Sequence, residues 1–299
     1  MSWSPGSTRD AVVSFLDALE DVAPADRVAM FDNDGTLWCE RPSYAQFSFF
    51  ADRLRRTVEA DPDVGARPEY AAVLAGDGAA MGELGLPAIA LALAELFEGQ
   101  TPDEYQAAVG EFFGRARHPL GPPLRSMVYR PMIELLDALR ERQCDVFIVS
   151  GGGVEFVRAV SQELYGVPPD RVVGTAVRYR YERRDGVPTL RRTAELDGAP
   201  NEGPAKVEAV QRHLGRRPLL AAGNSLGDRE LLELAQIASP SLALLIDHDD
   251  EVREYSYASE AGTIADAEPI TEVGRRAGWT IVSMRRDWAT VFEREGGRA

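Results

Sequence analysis

Two aspartates stand two positions apart in the stretch DNDGT, residues 32–36, directly after the short apolar run RVAMF. If the chain stays extended there, alternation points the side chains of Asp32 and Asp34 to the same side. Such a carboxylate pair can divide its work between an ionised nucleophile and a proton donor, and its oxygens also suit Mg²⁺. Taken alone, a stretch of this kind is more often an acidic turn or a helix cap.

Lys206 is the only lysine in a chain whose Lys and Arg together number 33. A chain that uses arginine for almost every cation can keep one lysine by chance, as an ordinary surface residue. The alternative is that this position needs a compact ammonium, which the planar guanidinium of arginine does not replace. That interpretation requires another part of the sequence that needs a positive point charge.

Two further stretches end apolar runs with small polar residues: IVSGGG at 148–153 and AAGNSLGD at 221–228. The first brings Ser150 and three glycines to a junction where free backbone N–H groups can bind an anion. The second brings Asp228 to the start of a helix. Each also has a structural explanation, a tight turn for the first and an acid favoured by the helix dipole for the second.

Helices and strands alternate along most of the chain, as the periodicity of the apolar residues indicates. Helices are predicted at 10–22, 132–142, 154–165, from 206 onwards and at 228–236, and strands at 27–31, 145–150, 171–177, 218–223, 242–247 and 279–284. Such alternation predicts a parallel sheet with helices on both faces. Because ligands bind at the carboxyl edge of such a sheet, the candidate stretches are expected to converge there. Asp185-Gly186, between two β-rich runs, predicts a hairpin.

Residues 43 to about 124 have only helical periodicity, and the segment 101–104, TPDE, predicts a capping box with proline at the first helical position. Within this region the glycine-rich segment 76–85 does not match GxGxxG and is predicted to be a flexible loop. We expect the helices of 43–125 to cover the site. There they would exclude water and select the group that leaves in the reaction.

The composition restricts the partners and the location. The 48 Asp and Glu exceed the 33 Lys and Arg and give a net charge of −15, which argues against nucleic acid or an anionic membrane as a partner. Cys39 and Cys144 lie far apart and the histidines are scattered, so a zinc site or a disulfide framework is not expected. Acids interrupt the apolar pattern near the N-terminus, and 88–97 is too short to span a bilayer, which predicts a cytoplasmic protein. Nothing in the sequence indicates an oligomeric state.

In their order and spacing, DNDGT, the strand-terminal Ser150, Lys206 and GNSLGD resemble the haloacid dehalogenase (HAD) superfamily. More narrowly, they resemble its phosphatases related to phosphoserine phosphatase. The resemblance covers 27–42 and about 130–236. It implies an α/β fold with a Rossmann-like parallel sheet core at 1–42 and 126–299, and an inserted all-helical cap at 43–125. It also implies a Mg²⁺-dependent phosphomonoesterase acting on a small phosphorylated metabolite.

The resemblance also implies roles for individual residues. Asp32 would attack phosphorus and form an aspartyl phosphate, Asp34 would protonate the leaving oxygen and then activate water, and Lys206 would balance the charge. Mg²⁺ would bind Asp32, the backbone carbonyl of Asp34, and Asp228. The residues expected around the substrate and its phosphoryl oxygens are Asn33, Thr36, Ser150, Gly151 and Asn224.

Asn224 is a departure from the family, which often has an acid at this position. The amide can still orient a metal-bound water or Asp228, but one negative charge near the ion is lost, so the departure bears on metal affinity. Two other functions share the same residues: a phosphotransferase that passes the phosphoryl group to an alcohol, and a non-catalytic phosphate-binding protein. Asp34 favours a phosphatase over a dehalogenase, because dehalogenation needs no acid there.

Four residues near the ends of the predicted cap have two interpretations. Glu40 and Arg41 follow the first motif, and Arg117 and His118 lie near the return to the core. They either touch the substrate or form a solvated hinge, and the hinge is the favoured interpretation.

Overall fold

The computed structural model describes residues 2–259 and 268–292, so part of the predicted core, namely residue 1, 260–267 and 293–299, lies outside the described residues. The strands are β1 Val28–Phe31, β2 Asp145–Gly153, β3 Val172–Thr175, β4 Val177–Arg184, β5 Val187–Leu196, β6 Leu220–Gly223, β7 Leu242–Asp247 and β8 Thr280–Ser283. The main sheet has the order β3-β2-β1-β6-β7-β8, and each neighbouring pair is parallel.

The helices occupy the connections between these strands. Their bounds are α1 Ser7–Ala18, α2 Ala45–Ala60, α3 Pro68–Ala75, α4 Gly78–Leu84, α5 Leu86–Glu95, α6 Pro102–Arg115, α7 Arg130–Glu141, α8 Val154–Tyr165, α9 Pro204–His213, α10 Arg229–Gln236, α11 Ile270–Ala277 and α12 Met284–Asp287. Among the described residues, no single helix has the length and apolar character needed to cross a membrane. Gly78–Leu84 and Pro87–Glu95, bent by 97° to each other, reach that length and composition only when taken together.

Strand β1 shows how helices cover both faces of the sheet. Ala29 and Phe31 belong to a buried cluster with residues of α1, α7 and α8, whereas Val28 and Met30 belong to a second cluster with residues of α9, α10 and α11. Side chains alternate across a strand, so two helical layers need an apolar residue at every position of β1, and all four are buried. This confirms the predicted α/β fold with a Rossmann-like parallel sheet.

Helices α2 to α6 all lie between β1 and β2, within the region predicted as a cap. The ring of Phe49 in α2 packs against those of Phe97, Tyr105 and Phe112, with centroids 4.9, 5.7 and 5.5 Å apart. It also packs at 5.5 Å against Phe156, which belongs to α8 beside the sheet. The aromatic contacts therefore join the helical insertion to the core, while the division of the chain into a core and a cap stays a prediction.

The predicted flexible loop at 76–85 is wrong, because α4 occupies most of it. Asp77 stands at the N-cap, and its Oδ1 accepts hydrogen bonds from the backbone N–H groups of Ala79 and Ala80 at 3.1 and 3.0 Å. An N-cap aspartate satisfies amide groups that would otherwise lack partners, which offsets part of the cost of the glycines. The predicted capping box at Thr101 is confirmed.

The predicted hairpin is also confirmed. Strands β4 and β5 are antiparallel, and Asp185 and Gly186 between them have φ values of 51° and 79°, as a tight hairpin turn with two left-handed residues requires. Backbone hydrogen bonds link Arg192 of β5 with Gly99 and Gln100, which follow α5. The segment 171–177, predicted as one strand, is divided between β3 and β4, and the other predicted strands agree to within a few residues.

Candidate active site

The candidate site lies where the central strands of the sheet end. Strand β1 has β2 on one side and β6 on the other, and the three run parallel. Asp32 follows β1, Ser150 lies in β2, and Asn224 follows β6. Since parallel strands end at the same edge, residues distant in sequence come together there.

Lys206 reaches this edge from α9 and contacts two of the predicted residues. Its Nζ donates hydrogen bonds to Oδ1 of Asp32 at 2.6 Å and to Oδ1 of Asp228 at 2.5 Å. All three side chains are buried. Lys206 is therefore not an ordinary surface lysine kept by chance. Two buried carboxylates need a compact ammonium between them, which explains why this position has lysine.

Asp228 is held by the protein on both of its carboxylate oxygens. While Oδ1 accepts from Lys206, Oδ2 accepts from the backbone N–H groups of Asn224 and Ser225, each at 3.0 Å, and from the Ser225 hydroxyl at 3.2 Å. A Cβ on Gly223 would lie 2.4 Å from Cβ of Asp228, so only glycine fits before this loop. Asp228 therefore fixes both the loop and the ammonium.

Asp34 has different surroundings from Asp32. Its Oδ1 accepts a hydrogen bond from Nε1 of Trp38 at 2.8 Å, and its Oδ2 accepts one from Nδ2 of Asn33 at 3.4 Å. The half-buried carboxyl faces the same cavity as Asp32 and Lys206. Both aspartates thus face the cavity, as their spacing predicts.

The pKa values follow from burial and from the neighbouring charges. Burial raises the pKa of Asp32 well above its ordinary value and the charge of Asp228 adds to the rise, against the opposing effect of Lys206. Burial raises the pKa of Asp34 too, although the hydrogen bonds from Trp38 and Asn33 oppose it. Burial lowers the pKa of Lys206, but Asp228 and Asp32 more than offset this, so the lysine is an ammonium at neutral pH.

The remaining predicted residues divide into two groups. Gly151 and Asn224 line the cavity. Asn33, Thr36 and Ser150 are completely buried and are held by other parts of the protein. The hydroxyl of Tyr165 donates to Asn33 Oδ1 at 3.0 Å, Thr36 Oγ1 donates to Asn224 Oδ1 at 3.5 Å, and Ser150 Oγ accepts from the Gly152 N–H at 3.0 Å. These three residues support the edge of the sheet at which the cavity opens.

Glu40 enters the site beside Asn224. Nδ2 of Asn224 donates a hydrogen bond to Oε1 of Glu40 at 3.2 Å, and the buried carboxyl lines the cavity. Gly35 has a φ of 72°, and a Cβ there would lie 2.0 Å from Asn224 Nδ2 and 2.9 Å from Glu40 Cδ. Burial raises the pKa of Glu40. The carboxyl of Glu40 thus lies next to Asn224, the position at which the family often has an acid.

The other three residues with two interpretations make contacts within the protein. Nε2 of His118 lies 2.6 Å from the Arg41 carbonyl oxygen, and the Arg41 guanidinium lies 4.3 Å from the ring centre of Tyr257. Nε of Arg117 donates to the carbonyl of Gly121 at 2.8 Å. His118 is buried and is therefore not solvated, so the choice between the two interpretations stays open for these residues.

Two supporting residues were missed by the sequence analysis. The side-chain amide of Asn201 donates to the Ser150 carbonyl at 2.8 Å, and Oε1 of Gln46 accepts from the Gly153 N–H at 2.8 Å. Both hold the glycine-rich end of β2 from distant segments, α2 and the loop before α9. No local pattern marks either residue, since their partners lie 51 and 107 positions away in the chain.

The cavity above these residues has a volume of about 700 Å³. Asp32, Asp34 and Lys206 line it. Apolar side chains of the helical insertion also line it, namely Phe47, Phe50, Met81, Ile89 and Leu93. Among the described residues, no three His, Cys, Asp or Glu side chains are grouped as a metal site. Lys206 lies between two of the carboxylates that such a group would use.

The profile of the haloacid dehalogenase-like hydrolases matches residues 29–233. The chain therefore belongs to this family and is a hydrolase, which confirms the predicted family. A search of the curated proteins finds no match.

Several solved structures resemble the chain. A protein of unknown function from Bordetella pertussis Tohama I is 20% identical over 86% of this chain and 97% of that one, with a TM-score of 0.55. A conserved, functionally unknown protein from Anaerococcus prevotii DSM 20548 is 13% identical over 90% and 88%, with a TM-score of 0.56. A phosphoserine phosphohydrolase-like protein from Francisella tularensis subsp. tularensis SCHU S4 is 18% identical over 84% and 99%, with a TM-score of 0.39. The first two likenesses concern the fold alone, and nothing is inferred from the third, whose TM-score is below 0.5.

Replacing Lys206 should destabilise the protein strongly. Lys206→Met leaves the carboxylates of Asp32 and Asp228 buried without their cation, and breaking a buried ion pair costs about 3–5 kcal/mol in the free energy of unfolding. Arg212→Met on the exposed side of the same helix should cost about 0.5 kcal/mol or less. Urea unfolding without added metal measures both.

The loss caused by Lys206→Met should depend on pH. The folded-state pKa of Asp32 lies above its ordinary value, so the folded protein binds this proton more tightly than the unfolded chain does. The contribution of this group to stability therefore rises as the pH falls. Because Lys206 lowers the pKa of Asp32, its removal raises that pKa further, and the loss caused by Lys206→Met should be smaller at pH about 5 than at pH about 8. A loss no larger than that of Arg212→Met would show that the ammonium does not stabilise the buried carboxylates.

Proposed function

We propose that the chain is a Mg²⁺-dependent phosphomonoesterase that hydrolyses a small phosphorylated metabolite through an aspartyl phosphate on Asp32. The single observation that carries the proposal is the ammonium of Lys206 between Asp32 and Asp228, at 2.6 and 2.5 Å, beside an open cavity. An overall charge of −15 repels a phosphate dianion, so a local cation is needed where the phosphoryl group must bind.

In the first half of the proposed reaction, a carboxylate oxygen of Asp32 attacks phosphorus, and the bond from phosphorus to the ester oxygen breaks. Asp34 gives its proton to the leaving oxygen, so an alcohol departs. In the second half, Asp34 takes a proton from water, the water oxygen attacks phosphorus, and inorganic phosphate and Asp32 are released. The raised pKa of Asp34, caused by burial, supports the first of these roles.

The oxygen donors at the site suit Mg²⁺, which usually binds one or two carboxylates together with substrate phosphate and water. We propose Asp32 and the backbone carbonyl of Asp34 as ligands. Asp228 was the third predicted ligand. Because both of its oxygens accept hydrogen bonds of 2.5 to 3.2 Å from the protein, we assign it the positioning of Lys206. We propose the side-chain oxygen of Asn224 in its place, since the contact of that oxygen with Thr36 Oγ1, at 3.5 Å, is long for a hydrogen bond. When bound, the ion would neutralise charge on the phosphoryl oxygens.

We further propose that Glu40 supplies the negative charge that Asn224 lacks. Its carboxylate accepts the hydrogen bond from Nδ2 of Asn224, and this fixes the orientation of the amide group, whose oxygen lies 3.5 Å from Thr36 Oγ1. Replacing a residue that orients a metal ligand in this way typically weakens metal binding by about 10–100-fold.

The central test is hydrolysis of p-nitrophenyl phosphate with Mg²⁺. Asp32→Asn removes the attacking oxygen and should lower kcat by about 10⁴-fold or more, whereas Asp17→Asn, at an exposed side chain, should leave it unchanged. EDTA should abolish the wild-type activity, and added Mg²⁺ should restore it. Wild-type activity that persists in EDTA would contradict the metal dependence, and an active Asp32→Asn would contradict the nucleophile.

The role of Asp34 should depend on the leaving group. Asp34→Asn should lower kcat/KM for an alkyl phosphate by about 10²–10⁴-fold, because an alkoxide cannot leave without a proton. For p-nitrophenyl phosphate the loss in kcat/KM should be much smaller, since the phenolate leaves unprotonated. Equal losses for both substrates would contradict a general-acid role.

The role of Glu40 should appear in Mg²⁺ binding itself. Isothermal titration should show about 10–100-fold weaker binding in Glu40→Gln. Asn224→Asp in the Glu40→Gln background should recover most of the loss, because it returns the carboxylate at the neighbouring position. Unchanged Mg²⁺ affinity in Glu40→Gln would contradict the assignment, whatever the activity.

A further inference from the structure

The cavity extends well beyond the space that a phosphoryl group needs. Its volume of about 700 Å³ lies within the range of pockets that enclose a whole small-molecule ligand. The candidate nucleophile, Asp32, is one of the lining residues, so a phosphoryl group bound there leaves space in the cavity for the part of the substrate that departs. The chemistry of the lining residues therefore describes the leaving group.

The wall of this space is apolar. Phe47 and Phe50 of α2, Met81 of α4, and Ile89 and Leu93 of α5 line it. Ile89 and Leu93 are buried in the small cluster that holds α2, α3 and α5 together, and Phe47, Phe50 and Met81 pack against that cluster. The apolar wall is thus built into the packing of the insertion.

The ionisable side chains that line the cavity are, with one exception, carboxyl groups. Four acidic side chains line it: Asp32, Asp34, Glu40 and Glu202. Lys206 is the only basic side chain among the described residues that line it, and its ammonium already contacts Asp32 and Asp228. In a chain that contains 33 Lys and Arg, no arginine faces this cavity from the described residues.

From this combination, and resting on the proposed function, we propose the class of substrate. It is a phosphomonoester whose leaving alcohol is largely apolar and carries no second anionic group, so that it is neutral or cationic. A carboxylate or a second phosphate on the leaving group would enter an acidic, apolar space without a cation to pair with, which is costly. Phosphoserine, whose leaving group carries a carboxylate, would be a poor substrate.

Non-hydrolysable phosphonates test the pocket separately from the reaction. Isothermal titration of the Mg²⁺-loaded protein would compare ethyl-, butyl- and hexylphosphonate with 6-phosphonohexanoate and 6-aminohexylphosphonate. Affinity should rise about fourfold for each added methylene that the apolar wall buries. The carboxylate should bind at least about tenfold more weakly than hexylphosphonate, and the amine should bind as well as hexylphosphonate or better.

A charge placed on the wall should reverse this preference. Met81→Arg adds a cation next to the space, and it should raise the affinity for 6-phosphonohexanoate relative to hexylphosphonate by about tenfold. Met81→Gln, of similar length but neutral, is the matched control and should leave that ratio close to the wild-type value. Thermal unfolding of both variants shows whether the fold is kept.

The outcomes separate the two proposals. An affinity that does not depend on chain length, or a carboxylate that binds as tightly as hexylphosphonate, would overturn the substrate class even if p-nitrophenyl phosphate is hydrolysed. The expected pattern of affinities without any hydrolysis would support the pocket and overturn the proposed function. A ratio unchanged in Met81→Arg would overturn the placement of the leaving group against α4.

Discussion

The ammonium of Lys206, shared at 2.6 and 2.5 Å between the carboxylates of Asp32 and Asp228, determines how the rest of the site is arranged. Two buried carboxylates repel each other, and each loses its hydration, so neither position is tolerable without a cation. The ammonium also connects three separate parts of the chain: the end of β1, the start of α9 and the loop after β6. Lysine suits this place because its compact head can donate to two partners at once.

The sheet order makes this connection possible. Strand β1 lies between β2 and β6, and its four residues are buried on both faces, by α1, α7 and α8 on one side and α9, α10 and α11 on the other. Because those layers exclude solvent, polar groups are confined to the ends of the strands. The polar loops after β1 and β6 and the glycine-rich end of β2 are therefore also the places where a substrate can be reached.

The helical insertion provides the apolar side chains that line the cavity. Aromatic packing of Phe49 against Phe156 joins α2 to α8 beside the sheet, so the apolar wall and the charged floor belong to one continuous structure. The floor contains an excess of carboxylates over its single ammonium, with Glu40 beside Asn224. This excess is the physical basis of the proposed metal ion and of the proposed substrate without further negative charge.

Much of this protein follows from local sequence. The alternation of apolar runs predicts the sheet and its helices because periodicity of 2 or 3.6 residues reports local burial, and the order of DNDGT, Ser150, Lys206 and GNSLGD indicates the family. The solitary lysine is visible in composition alone. These features need no knowledge of distant contacts.

Other features exist only in the folded chain. The side chain of Asp77 caps α4, which forms in a glycine-rich segment. The contact between Glu40 and Asn224 joins residues that lie 184 positions apart in the chain. The cavity combines α2, α4 and α5 with three strand ends, a juxtaposition that no local pattern encodes. Sequence by itself determined which residue types were available and at which strand ends they stand. Tertiary structure decided which of them touch, because the energies of charge pairing and burial depend on distances across the fold.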